Sequence, residues 1–153
     1  MRWLVALLFA LLPVTAMAQG CGGDPQAAAY LEKATSAIRT QQGLNGLARD
    51  PRLAAAAQAH ACDMARRGYF SHSGRDGSSV KGRARHAGYR ACLIAENIAM
   101  GQRNAQAAFA DWMKSSGHRR NILLKGVAQI GIGIAPARAG RGPYWVMVLG
   151  RPC

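Results

Sequence analysis

The stretch QIGIGIA, residues 129–135, decides the fold class. Ile130, Ile132 and Ile134 alternate with Gly131 and Gly133, a period of two that belongs to a strand and not to a helix. The glycine side of such a strand lets another backbone or a helix approach closely. YWVMVLG, residues 144–150, is apolar on both faces and rich in β-branched and aromatic residues, as a central strand is. PARAGRGP between them can form a hairpin loop.

Upstream the pattern is helical. Asp24-Pro25 is a cap followed by proline at the first helical position, and predicts a helix to about Gln42. Asp50-Pro51 repeats the signal for a helix to about Arg67, with Gly68 as its stop, and GLNGLAR (43–49) reads as a connection. Leu53, Ala57, His60 and Met64 share one face of that helix. SHSGRDGSS (71–79) is a turn-rich loop, followed by a short helix from Ser79 to His86 ending at Gly88. AENIAMG leads into a helix capped by Asn104, which carries Ala108, Phe109 and Trp112 and stops near Gly117. On that stop His118 gains from a helix C-terminus. Mostly helical first, then an antiparallel strand pair covered by helices, the chain reads as α+β.

The first residues are not part of that fold. Arg2, an apolar run over 3–12 and Ala16-Met17-Ala18 make residues 1–18 a secretory signal peptide, too short to remain as a membrane helix. No later segment approaches the roughly 18 apolar residues that a spanning helix needs. The alternative is lipid modification of Cys21 behind Gly20, for which Gln19 is a poor neighbour. A secreted or periplasmic domain is expected. Removing Arg2 lowers the 20 Lys and Arg to 19 against 7 Asp and Glu, a formal charge of +12. Such a surface attracts anions, among them an anionic envelope component or lipid. The basic residues are scattered, however, and the densest run, KGRARHAGYR (81–90), has one aromatic and no nucleic-acid-binding signature. A solvated basic face is the plainer reading of it.

Cys21, Cys62, Cys92 and Cys153 form an even set in an exported chain, so two disulfides are expected. No C-x-x-C occurs, which argues against a thiolate zinc knuckle or a thioredoxin-like site. Three pairings exist, and Cys62–Cys92 with Cys21–Cys153 is the favoured one.

The four histidines carry no local catalytic motif. None is spaced i, i+4 as a helical zinc pair, and H-E-x-x-H, G-x-S-x-G and phosphate-cradling glycine loops are absent. His60 lies on an apolar face and reads as a packed core residue, and His86, among arginines, as surface. His72 and His118 each follow a Gly- or Ser-rich stretch, where polar side chains reach a cleft edge. Glu96, one of two glutamates, sits between LIA and NIAM, and a carboxylate in an apolar run needs a partner. That partner can belong to a structural salt bridge or to a functional site.

At this point the segments GLARDPRLAAAAQAHACDMARRGYFSH, AENIAMG, WMKSSGHRRNIL, IGIGIA and YWVMVLG resemble, in order and spacing, the CAP superfamily of cysteine-rich secretory, antigen 5 and pathogenesis-related 1 proteins. The resemblance covers about residues 28–150 and implies a CAP domain over 28–153, with 19–27 as an N-terminal segment. It implies a three-layer α-β-α sandwich with a central antiparallel sheet, and a shallow cleft in which two histidines and two acids converge. By motif these are His72 of FSH, Glu96 of AEN and His118 of GHRRNI. Ser115 stands where animal and plant members carry the second acid.

Two neutral imidazoles, His72 and His118, would hold a divalent ion such as Zn2+ weakly and reversibly, since catalytic zinc usually has three protein ligands. Glu96 would orient one ring or act on bound water. A Ser115–His118–Glu96 triad can also be drawn, without a recognisable oxyanion hole. The reading favoured is a monomeric binding module with no specific nucleic-acid partner. The alternative is a metal-dependent, peptidase-like hydrolase working through His72, Glu96 and His118, and a disulfide-stapled structural protein is a third.

Overall fold

The computed structural model describes residues 21–136 and 139–153, so the expected signal peptide lies outside the described residues. Helix α1 spans Pro25–Gln41, and the Asp24 carboxylate caps it by accepting from the Gln26 and Ala27 amides at 3.0 Å. Strand β1 is only Ala48–Arg49. Helix α2, Pro51–Arg67, is capped by Asp50 and ends at Gly68, whose φ of 64° is left-handed and suits glycine. Helix α3 is Val80–His86 behind Ser79, and β2 is Ala91–Met100. Helix α4, Ala105–Lys114, starts at the Asn104 side chain, and α5, Ser116–Ile122, follows at once. Strands β3, Gln129–Ala135, and β4, Tyr144–Pro152, complete the order.

The sheet runs β1-β3-β4-β2. β3 and β4 pair antiparallel as the expected hairpin, β2 pairs antiparallel with β4, and the short β1 adds one parallel edge to β3. Each face of the sheet carries its own apolar cluster. Leu53, Ala57, Ala61 and Met64 of α2 and Ala84 of α3 pack on Val146 and Val148. Leu31 of α1, Ala105, Ala108 and Trp112 of α4 and Ile122 of α5 pack on Ile130, Ile132, Ile134, Trp145, Met147 and Leu149. The alternation along β4 thus divides the core between two helical layers. The chain is an α-β-α sandwich.

Gly131 and Gly133 show why β3 carries isoleucine on one side only. A Cβ on Gly131 would collide with the backbone of Leu53 and Ala54, and one on Gly133 with that of Ala57 and Gln58. The glycine face is where α2 lies directly on the sheet.

Three expectations are corrected. Ala91–Met100 is a strand, not merely a lead-in to a helix: nine of its residues pair with β4, while the Glu96-Asn97 step hides the period. Gly117 does not end a helix. Ser115, with φ −82° and ψ 121°, closes α4 and opens α5, so His118 lies in the first turn of α5 rather than at a helix C-terminus. The disulfides are Cys21–Cys62 and Cys92–Cys153, with Cα separations of 5.8 and 4.8 Å, not Cys62–Cys92 and Cys21–Cys153. The register explains the second bond, since Ala91 faces Pro152 and the Cys153 amide donates to the Arg90 carbonyl at 3.0 Å. That register lands Cys153 beside Cys92. Cys21, just before α1, meets Cys62 on α2, and a sulfur in a disulfide is not available for lipid modification.

One buried cation also shapes the fold. Arg39 is 1% exposed, and its Nε donates to Asn45 O, Nη1 to Ile122 O and Leu124 O, each at 2.9 Å, and Nη2 to Val127 O at 3.3 Å. Its partners are all carbonyls, and they close the C-terminal end of α5 and the turn after it.

Candidate functional site

β2 is an edge strand, so its free side lies between the two helical layers. Alternation sends consecutive residues to opposite layers. Ile98 packs with α2 and Ala99 with α4, so Glu96 faces the α2–α3 layer and Asn97 the α4–α5 layer. The site is built around that step.

On the first side Glu96 is buried, 6% exposed, and both its oxygens are occupied. His72 Nδ1 donates to Oε1 at 2.9 Å and Arg83 Nη2 to Oε2 at 2.7 Å. The same Arg83 nitrogen donates to the His72 carbonyl at 3.0 Å, so one guanidinium holds both the acid and the loop that carries the histidine. A further tie comes from His60, whose Nε2 lies 2.8 Å from Ser71 O. A carbonyl only accepts, so Nε2 carries the hydrogen. Burial pushes the His60 pKa down and the ring is neutral, with Nδ1 a bare acceptor that has no partner among the described residues. His60 is the packed residue its sequence position predicts, and it also anchors the residue before His72.

On the second side Asn97 Nδ2 donates to His118 O at 3.0 Å, while Asn97 Oδ1 accepts from Asn121 Nδ2 at 2.9 Å. Asn121 also donates to Glu96 O at 3.2 Å. These bonds fasten α5 to the β2 edge. Partial burial and then the nearby His72 charge hold the His118 pKa below the ordinary histidine range. The fold therefore brings His72, Glu96 and His118 to one edge, although 24 and 22 residues separate them in sequence.

The Ser115–His118–Glu96 triad does not form. Ser115 is the joint between α4 and α5, and the Glu96 carboxylate accepts from His72 and Arg83, not from His118. His86, the last residue of α3, is exposed. Sequence reasoning missed Arg83, Asn97 and Asn121. The two asparagines sit inside the quoted motifs beside Glu96 and His118, which was a usable signal. Arg83 lies in a run of basic residues that nothing in the sequence separates.

As donors for an ion, two histidines fall short of the three protein ligands usual at catalytic zinc. Among the described residues no three His, Cys, Asp or Glu side chains are grouped so as to hold an ion. Glu96 already serves as the acceptor that orients His72, which leaves Nε2 of that ring and the His118 imidazole as the donor set.

Comparison with known proteins agrees with this architecture. The family model for the Cysteine-rich secretory protein family, CAP, matches residues 33–149. The uncharacterized Bacillus subtilis protein YkwD is 36% identical over 99 residues, 65% of this chain and 38% of YkwD. The uncharacterized B. subtilis membrane protein YlbC is 33% identical over 100 residues, 29% of its own length. The chain thus spans well under half of the curated relatives it matches. Among solved structures, an extracellular SCP-domain protein of Bacillus anthracis superposes with a TM-score of 0.75 at 27% identity, covering 82% of this chain and 40% of that one. An outer surface protein of Borrelia burgdorferi gives 0.77 at 18% identity over 86% of this chain and all of that one, a likeness of fold. A match over residues 33–149 takes in both helical layers, the sheet and the β2-edge site, and the chain belongs to the cysteine-rich secretory protein (CAP) family.

Proposed function

We propose that this CAP domain is an exported binding module, not a hydrolase, whose β2-edge cleft takes a divalent ion on His72 and His118 and whose basic surface engages an anionic envelope component. The observation that carries the reading is the engagement of Glu96. A general base must be open to water, and this carboxylate is 6% exposed, ion-paired to the Arg83 guanidinium and already the acceptor for His72. What remains is a pair of imidazoles, at least one of low basicity, which suits reversible coordination with open positions for water and a ligand oxygen. Two disulfides and the expected leader fit export to an oxidising compartment.

Calorimetric titration with Zn2+ tests the cleft. The wild type should give heats of a weak site that vanish in a His72→Ala/His118→Ala double variant, and equal heats in both would defeat the metal reading. Zinc-dependent turnover of a peptide library that disappears in Glu96→Gln would defeat the non-hydrolytic one.

A further inference from the structure

Helix α3 separates two hollows that share one chemistry. The first, about 420 Å3, is lined by Lys81, Arg85 and Arg90 together with Cys153. All three cations are exposed, and among the described residues no ion pair involves them. The second, about 940 Å3, shares Ser79, Gly82 and Arg85 with the first and passes over Ala55 and Ala59 of α2 to Arg66 and His86. The shared residues make the start of α3 a saddle, so the positive groups form a line from β2 across α3 to α2.

Asp63 and Asp76 also border the second hollow, and both are already engaged. Asp63 pairs with Arg67 at 2.8 Å and accepts from Tyr69 OH at 2.6 Å, while Asp76 accepts from the Ser78 amide at 2.9 Å. The net field along the line stays positive.

We infer that this line is the docking groove for a linear polyanion, a flexible chain carrying closely repeated anionic groups. The inference rests on the proposed engagement of an anionic partner and assigns it a surface apart from the zinc cleft. Three features select a polymer. The cations are exposed and strung out, whereas a compact anion needs donors that converge on one point. They lie along concavities, which a bilayer surface cannot follow. Tyr30 and Phe70 are the exposed large apolar residues among the described residues, and neither borders the hollows, so no anchor reaches into lipid. The lining also lacks Phe, Tyr and Trp, so bases have no stacking platform and the polymer is recognised by its charge. α3 bears Arg83 as well, so a chain seated here lies beside the β2-edge site.

The test is calorimetric binding of long-chain inorganic polyphosphate, in EDTA, at several salt concentrations. The wild type should bind, and Lys81→Gln/Arg85→Gln/Arg90→Gln should lose about tenfold or more in affinity, with a slope of log K against log salt shallower by about 2. Lys33→Gln/Lys114→Gln/Lys125→Gln, in the opposite layer, should keep most of both, as should Lys81→Arg/Arg85→Lys/Arg90→Lys. Equal losses in the two glutamine variants would overturn the groove in favour of diffuse net charge. Saturation by pyrophosphate that blocks polyphosphate would overturn it in favour of a compact ion site, and tighter binding to phosphatidylglycerol vesicles in favour of a membrane. Zinc heats are read on the same variants: if the groove fails while those heats persist, the cleft reading survives, and the reverse holds equally.

Discussion

Single residues explain how an edge strand can carry a site. Arg39, some 80 residues before α5 in sequence, ends the helix that bears His118 by donating to Ile122 O and Leu124 O. Arg39→Met should cost about 3 kcal/mol, because four carbonyls lose a charged donor and two of those bonds are buried. Arg39→Lys should recover only part of this, since an ammonium lacks the planar fork. Urea midpoints of the three proteins check the order. The histidines set the acid limb of stability. His60 and His118 both have folded pKa values below the ordinary 6.5, so between 6.5 and the folded values the unfolded chain binds more protons than the native one. Stability should therefore be flat above that range and fall as pH drops from 6.5 through the folded values. A series of melting temperatures from pH 8 to 5 measures it, and His60→Gln should flatten the fall.

Elements show which parts of the fold the sequence announces and which it does not. Period, caps and stops mark α1, α2 and β3 because each is expressed within the element itself: Asp-Pro at a start, left-handed Gly68 at an end, isoleucine at every second place. β2 carries no such mark, since Leu93, Ile94 and Ala95 run together and Glu96-Asn97 sends one polar group to each layer. Its identity as a strand comes from β4, and β1 comes from β3 in the same way. The Ser115 joint was hidden for a related reason. Gly117 is the obvious breaker, but its position in the first turn of α5 does not demand a positive φ. The glycine face of β3 is the place where an element-level reading makes a sharp demand. Gly131→Ala places a methyl against the α2 backbone, where no side chain can rotate away. It should cost about 3 kcal/mol or more, against the 1–3 typical of an overpacked core. Ala54→Gly on the facing helix should not rescue it, because the obstruction is backbone. Denaturation midpoints of the single and double variants decide this.

At the scale of the molecule, local periods made the α+β class legible and the family resemblance implied the α-β-α order, while the cross-links were not legible. Pairing cysteines needs the register of β2 on β4, a tertiary fact that no local period carries. The site shows the same division. His72, Glu96 and His118 stood out as residues, but Arg83, which binds the first two together, became visible only when α3 packed beside the 71–79 loop. The two disulfides have different tasks in this frame. Cys21–Cys62 spans 41 residues and pins the segment before α1 to α2, on the opposite side of the sheet. Cys92–Cys153 spans 61 and locks the start of β2 to the end of β4. Chain entropy gives about 4 kcal/mol for each, so the paired serine variants should lose similar stability in denaturant titrations. Their effects on the cleft should differ. Opening Cys92–Cys153 frees the end of the edge strand that holds both Glu96 and Asn97, and should weaken zinc heats in the still-folded protein. Opening Cys21–Cys62 leaves β2 paired along its length and should leave those heats unchanged. Non-reducing peptide mapping comes first: recovery of a peptide joining Cys62 to Cys92 would remove the premise, since those residues would then have to meet across a register that sets Cys153, not Cys62, beside Cys92.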